Sequence, residues 1–238
     1  MRVNNRKNDE LRKVEIIPDV NIFAEGSCLI KCGNTQVLCT ATVEEKIPSW
    51  MKDDDRGWVT AEYSMLPRAN RTRVQRETKG VSGRSQEIQR LIGRSLRSVV
   101  DLSALRGHTI TVDCDVLQGD GGTRTASITG GFVAMYLAIQ KMRKEGKFIV
   151  NPVKEFVAAI SCGIVNGEEL LDLEYEEDSN AQADTNFVLS SSGKIIEVQG
   201  TAEGDPFEEE RFLKLMNMAK NAVAKLMEIQ HKAISEGI

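Results

Sequence analysis

The stretch HTITVDCDVLQGDGGTR, residues 108–124, decides the fold. From His108 to Leu117 it alternates. Thr109, Thr111, Asp113 and Asp115 face one way, and Ile110, Val112, Cys114 and Val116 the other, as in a strand with two carboxylates on its polar side. Gln118-Gly119-Asp120-Gly121-Gly122 then breaks the pattern. A long apolar helix is expected from about Thr125 to Lys144, with Ile128, Phe132, Met135, Ile139 and Met142 pointing inward. Gly130-Gly131 inside it marks a close backbone contact. A glycine turn between strand and helix aims N–H groups at a ligand, and the helix start adds partial positive charge. Thr123 brings a hydroxyl and Arg124 a two-pronged guanidinium. Gly122, Thr123 and Arg124 therefore describe a seat for one phosphate, although a Gly-Gly turn opening a helix is more often structural. The pattern is neither a Walker A loop nor a dinucleotide fingerprint.

Upstream, Val14–Ile17, Ser27–Lys31, Gln36–Val43 and Trp58–Tyr63 read as strands. Gly33-Asn34 marks a hairpin between the second and third. Pro67–Gly83 is polar and irregular, and a loop of that length in a compact domain is usually functional. It carries Arg68, Arg71, Arg73 and Arg76. Arg84–Val100 has the helical spacing Ile88, Leu91, Ile92, Leu96, Val99, with Ser82 or Ser85 as its cap. Arg90, Arg94 and Arg97 share one of its faces. Arg84, at its start, is placed to bring a second guanidinium to the same anion.

Downstream, Phe156–Asn166, Glu169–Tyr175, Thr185–Ser190 and Lys194–Gln199 read as four more strands, and Phe207–Ile234 as an amphipathic helix. The order is α+β, with mixed sheets packed against helices. No linker divides it, so residues 1–238 are expected to form a single domain. Glu176–Asp184 joins two strands and carries Asp178 and Asp184. Paired carboxylates are hard oxygen ligands of the kind that hold Mg²⁺ beside a phosphate. The plainer reading is an acidic surface that fends off edge pairing, and Asp113, Asp115 and Asp120 are rival carboxylates.

The 238 residues are 28% charged and 41% hydrophobic, which excludes global disorder. The net charge of −4 conceals an asymmetry. Residues 68–106 hold ten Lys or Arg, nine of them Arg, against three acids, whereas residues 166–210 hold fourteen acids against Lys194 alone. A dense Arg stretch in an acidic protein points to a localised phosphate or nucleic-acid surface. A solvated face with subunit salt bridges is the bland alternative. The five cysteines read as buried reduced thiols of a cytoplasmic protein. No apolar run is long enough for a membrane span, and no apolar segment follows Met1–Lys7 to suggest a secretory leader. The two histidines, His108 and His231, lie far apart, so a His-centred triad is not expected.

A phosphate seat, paired carboxylates and an Arg-rich loop fit phosphoryl transfer on nucleic acid. With no evident protein nucleophile, inorganic phosphate is itself an attractive attacking group, needing only positioning and charge neutralisation. The chain resembles the ribonuclease PH family of phosphate-dependent exoribonucleases. The matching segments are Gly57–Arg68, Ser82–Arg94, Asp113–Ile128, Asp172–Asp178 and Ile196–Gly204, and the likeness runs from about Leu11 to Phe212. Gly119 departs from the family, which often has Ala there. That change only loosens the turn.

The resemblance implies a ribosomal protein S5 domain 2-like β-α-β-α fold and assembly as a homohexamer, a trimer of dimers. It implies that Arg84, Gly122, Thr123 and Arg124 bind phosphate, and that Asp178 and Asp184 serve a divalent metal, Mg²⁺ or Mn²⁺, and catalysis. It implies that Arg68, Arg71, Arg73 and Arg76 contact tRNA. The implied activity is 3′-to-5′ phosphorolysis of tRNA precursors, and of rRNA as a further candidate, releasing nucleoside 5′-diphosphates reversibly. Two alternatives stand beside it: a non-catalytic RNA-binding ring subunit of an exosome-like assembly, and a metal-dependent hydrolase using water.

Overall fold

The computed structural model describes residues 2, 5–51 and 56–237. Met1, Val3 and Asn4, on which the reading of the N-terminus partly rests, lie outside the described residues. The first sheet holds β1 (Val14–Pro18), β2 (Gly26–Cys32), β3 (Thr35–Glu44), β4 (Trp58–Met65) and β5 (Thr109–Gln118), in the order β1-β2-β3-β5-β4. Its pairs are antiparallel except β4 with β5, which run parallel from Trp58 opposite Thr109 to Met65 opposite Val116. A parallel pair needs a crossover, and α1 (Gly83–Ser98) supplies it. Ser82 caps α1, its Oγ accepting from the Ser85 N–H at 3.2 Å. The Ile88, Leu91, Ile92 and Leu96 stripe is buried as the spacing predicts.

The helix after the glycine turn, α2 (Thr123–Lys144), begins two residues earlier than its apolar pattern suggests. Thr123 and Arg124 are therefore first-turn residues. The helix lies between the two sheets, touching β2 and β3 on one side and β6 on the other. Enclosure on all sides removes the need for a polar face, which is why Thr125–Met135 is buried without interruption. A Cβ at Gly130 would sit 2.7 Å from Ile30 Cγ2 and 3.0 Å from Cys39 Sγ, so the helix rests directly on the sheet. All five cysteines are buried free thiols.

The second sheet holds β6 (Val157–Val165), β7 (Glu168–Leu171), β8 (Ala183–Ser190) and β9 (Ile195–Ala202), antiparallel in the order β7-β6-β8-β9. The last helix, α4 (Glu209–Glu236), packs Leu215, Ala219, Val223 and Leu226 into a core with Ala158, Ile160, Cys162 and Phe187. Val157, Ala159 and Val188 join the core around α2 instead. Covered on both faces, β6 is buried at all nine positions. The same alternation puts Ser161, Asp184 and Asn186 on the α2 side of the sheet.

The expected strand Glu169–Tyr175 stops at Leu171. Asp172 adopts φ 55°, and the chain enters a one-turn helix, α3 (Tyr175–Asp178). The cause is distant in sequence. Asp172 accepts from the Arg12 backbone N–H at 2.8 Å and pairs with its guanidinium at 2.7 Å, while Arg2 donates to the Leu171 carbonyl at 2.8 Å. Glu174 and Glu177 then cap α3 reciprocally. Asp178 thus closes a helical turn and does not lie in an open loop, and Asp184 is the second residue of β8.

Candidate active site

The turn from β5 to α2 places Gly121 and Gly122 in the left-handed region, at φ 75° and 64°. Gly122 forms the N-cap of α2 and no side chain caps it, which leaves the first helical N–H groups for a ligand. Three contacts pin the turn. Arg12 donates to the Asp120 carbonyl at 2.6 Å, Thr35 Oγ1 donates to the Gly121 carbonyl at 2.7 Å, and the same hydroxyl accepts from Asp120 N–H at 2.9 Å. A Cβ on Gly121 would run into the Leu173 carbonyl and the Glu174–Tyr175 backbone. Only glycine lets this turn lie against the segment that leads to Asp178. Arg12 and Asp172 tie the same two segments together. Burial alone would push the Asp172 carboxyl up, but the Arg12 guanidinium holds it below the usual carboxylate range.

Around this turn opens a cavity of about 920 Å³. Arg84 reaches it from the start of α1, Asp178 from the end of α3, Asp184 and Asn186 from β8, and Ser161 from β6. The first helical turn of α2 contributes Thr123 and Arg124. Thr123 Oγ1 lies 2.9 Å from the Tyr63 hydroxyl, and Arg124 donates to Gln199 Oε1 at 3.3 Å. Desolvation in the cavity raises the Asp178 carboxyl, which Arg124 and Arg84 only partly offset. Asp184 is raised by desolvation and then by the neighbouring Asp178 charge, with Arg124 opposing.

The cavity brings together Arg84, Gly122, Thr123, Arg124, Asp178 and Asp184. Of the loop arginines only Arg71 lines it, held by Glu176 at 2.8 Å and lying over the Tyr175 ring. Arg68 lines a smaller adjoining hollow of about 300 Å³ with Asn34 and Gln118. Arg73 and Arg76 are exposed on the loop and line neither hollow. Asp113 and Asp115 point away, on the outer face of the first sheet, and Asp120 sits on the cavity rim. Neither histidine lines the cavity. The sequence reading passed over Tyr63, Arg12, Ser161, Asn186 and Gln199. Asn186 was accessible by alternation from Asp184, but Arg12 carried no local signal.

Asp178 and Asp184 suit a hard divalent cation. Both are oxygen donors, both are raised chiefly by desolvation, and neither makes an ion pair with a described residue. Among the described residues no three acidic, His or Cys side chains gather into a full metal cage. The donor set fits an ion that keeps water and takes further oxygens from a phosphate, as Mg²⁺ does.

Comparison with known proteins gives the class first. The Archaeoglobus fulgidus exosome with RNA bound to the active site superposes with a TM-score of 0.81, covering 95% of this chain and 91% of that chain at 28% identity. The fold is that of RNase PH-like exosome subunits. Family models then locate the sequence. The 3′ exoribonuclease family domain 1 matches residues 10–139 and domain 2 matches residues 155–222. The chain belongs to the 3′ exoribonuclease family. It is 54% identical over 237 residues to Ribonuclease PH of Methylorubrum populi, covering 99% of this chain and all of that protein. It is 53% identical over 238 residues to Ribonuclease PH of Mesorhizobium japonicum, with 99% and 100% covered.

Proposed function

We propose that this chain is a phosphate-dependent 3′-to-5′ exoribonuclease that trims tRNA precursors. One observation carries the reading: an uncapped helix start flanked by Arg84 and Arg124 opens into the same cavity as two unpaired carboxylates. Orthophosphate sits against the α2 N–H groups, Thr123, Arg124 and Arg84. Held there, it needs no protein nucleophile. A phosphate oxygen bonds to the terminal phosphodiester phosphorus, the upstream ribose 3′-oxygen leaves, and a nucleoside 5′-diphosphate is released. One P–O bond replaces another of similar energy, so the reaction runs backwards when diphosphate is abundant. A divalent cation, Mg²⁺ or Mn²⁺, held by Asp178 and Asp184 would supply charge stabilisation at the transferred phosphoryl group.

Arg71, with Arg68, Arg73 and Arg76 beyond it, forms a cationic approach for the RNA backbone. The whole chain, residues 1–238, acts as one catalytic domain, because the cavity draws on both sheets. Ile22, Phe23 and Ile149 are each more than four-fifths exposed. These apolar surfaces support a homohexamer, a trimer of dimers, that covers them. Buried free thiols support a cytoplasmic setting. No helix among the described residues is long and apolar enough to cross a membrane.

The test is product analysis of a short RNA incubated with Mg²⁺, with and without orthophosphate. Diphosphates that appear only with phosphate support the reading. Monophosphates released without it indicate hydrolysis by water, and tight RNA binding without turnover indicates a non-catalytic ring subunit.

A further inference from the structure

We propose that Tyr63 is a positioning residue that aims the hydroxyl hydrogen of Thr123 at the bound phosphate. The inference rests on the phosphorolytic reading and extends it to a residue that does not line the cavity. Tyr63 sits on β4, level with Cys114 of β5, and its side chain points to the core side of the sheet. The residue is 3% exposed. A phenol buried to that degree needs a hydrogen-bond partner, and the partner it meets is Thr123 Oγ1, 2.9 Å away.

Thr123 has one hydroxyl hydrogen. With the cavity empty, either oxygen of the pair is able to donate to the other. An anion in the cavity removes that choice. Its ionised oxygens are acceptors, so Thr123 donates to one of them, and Thr123 Oγ1 then accepts from Tyr63. With the anion bound, a tyrosine in this place holds the threonine hydrogen toward it by donating to the same oxygen. A phenylalanine leaves it free to rotate. Burial keeps the phenol protonated at neutral pH, since desolvation pushes it up further than the Thr123 hydrogen bond, Arg84 and Arg124 pull it down. The hydrogen Tyr63 must supply is therefore always present.

Glu62 and Ser64, the neighbours of Tyr63, face the opposite side of the sheet, so the effect is confined to this one hydroxyl.

The experiment is a double-mutant cycle of Tyr63→Phe and Thr123→Val, with initial rates measured against orthophosphate at saturating RNA and against RNA at saturating orthophosphate. Thermal protection by orthophosphate alone is the second readout. Tyr63→Phe should raise KM for phosphate by about 3- to 10-fold, the weakening of the Thr123 hydrogen bond to the anion once its hydrogen is no longer aimed. KM for RNA should stay within about twofold. The thermal protection given by phosphate should shrink in parallel. In the Thr123→Val background, the second substitution should change nothing further.

An unchanged phosphate KM in Tyr63→Phe overturns the proposal. So does an equal effect of Tyr63→Phe with and without the Thr123 hydroxyl, since that marks a packing role. Failure of Tyr63→Phe to fold also overturns it, because the hydroxyl would then serve the fold and not the anion. If the wild-type protein instead shows no phosphate dependence, the functional reading itself has failed, a result distinct from these.

Discussion

Arg124 stands on the first turn of α2 and lines the cavity with Arg84, Asp178 and Asp184. Its guanidinium offers two parallel donors that a lysine cannot reproduce. Arg124→Ala should lower kcat/KM for phosphate by about 100-fold or more while leaving RNA affinity nearly intact; titrations with each substrate separate the two effects. Asp184 has the opposite character. Desolvation and Asp178 lift its carboxyl above the ordinary 3.8, so the charged form is disfavoured in the folded chain. That penalty is fully present above the raised value and fades as pH falls through it toward 3.8. Asp184→Asn should abolish turnover and yet raise Tm at pH 7, with a smaller gain near pH 4. Calorimetry at both pH values checks the sign, and a lower Tm at pH 7 would refute it.

At the level of elements, buried ion pairs fix where secondary structure ends. Arg12 and Asp172 are both buried and join the β1 approach to the β7–α3 corner. Removing the Arg12 guanidinium leaves the buried Asp172 carboxylate, among the described residues, with only the residue-12 N–H and Arg6 at 3.7 Å. Arg12→Met should therefore cost about 3–5 kcal/mol in urea unfolding and should also loosen the glycine turn. Glu169 on β7 is held by Lys214 and Arg211 of α4, which bring its carboxyl from 4.5 down to about 2. Its contribution to stability is complete above pH 4.5 and disappears as pH falls toward 2. Glu169→Gln should lower Tm at pH 7 and make little difference near pH 2.

These pairs also explain which elements could be read in advance. The β5–turn–α2 segment was legible because its period changes from 2 to 3.6 within a few residues, and the glycines mark where. The β7–α3 corner was not. Its alternation of Leu171, Leu173 and Tyr175 with Asp172 and Glu174 continues unbroken, and the turn at Asp172 is imposed by Arg2 and Arg12, some 160 residues away or more. The place of Thr123 and Arg124 at the helix start was legible because the glycine turn that precedes them is a local signal. The spread of Arg68, Arg71, Arg73 and Arg76 over two hollows and open solvent was not, since an irregular loop has no period to read.

Across the whole molecule, charge is divided between a cationic approach and an acidic second half, and the cavity lies where they meet. RNA should feel the first through counterion release. Replacing Arg71 and Arg73 together should weaken RNA binding and reduce the slope of log affinity against log salt by roughly 1.4, about 0.7 per phosphate contact on a single strand. An unaltered slope would place the RNA elsewhere.

Arg2 grips Glu177 from 175 positions away, and that distance has a bearing on synthesis. The glycine turn is synthesised by residue 124, but Arg12 ties it to Asp172 and α2 packs between both sheets, so neither side of the cavity forms until the second sheet follows. A product terminated before Glu177 should therefore hold neither a formed turn nor the carboxylates opposite it, and should leave RNA uncut in the presence of phosphate.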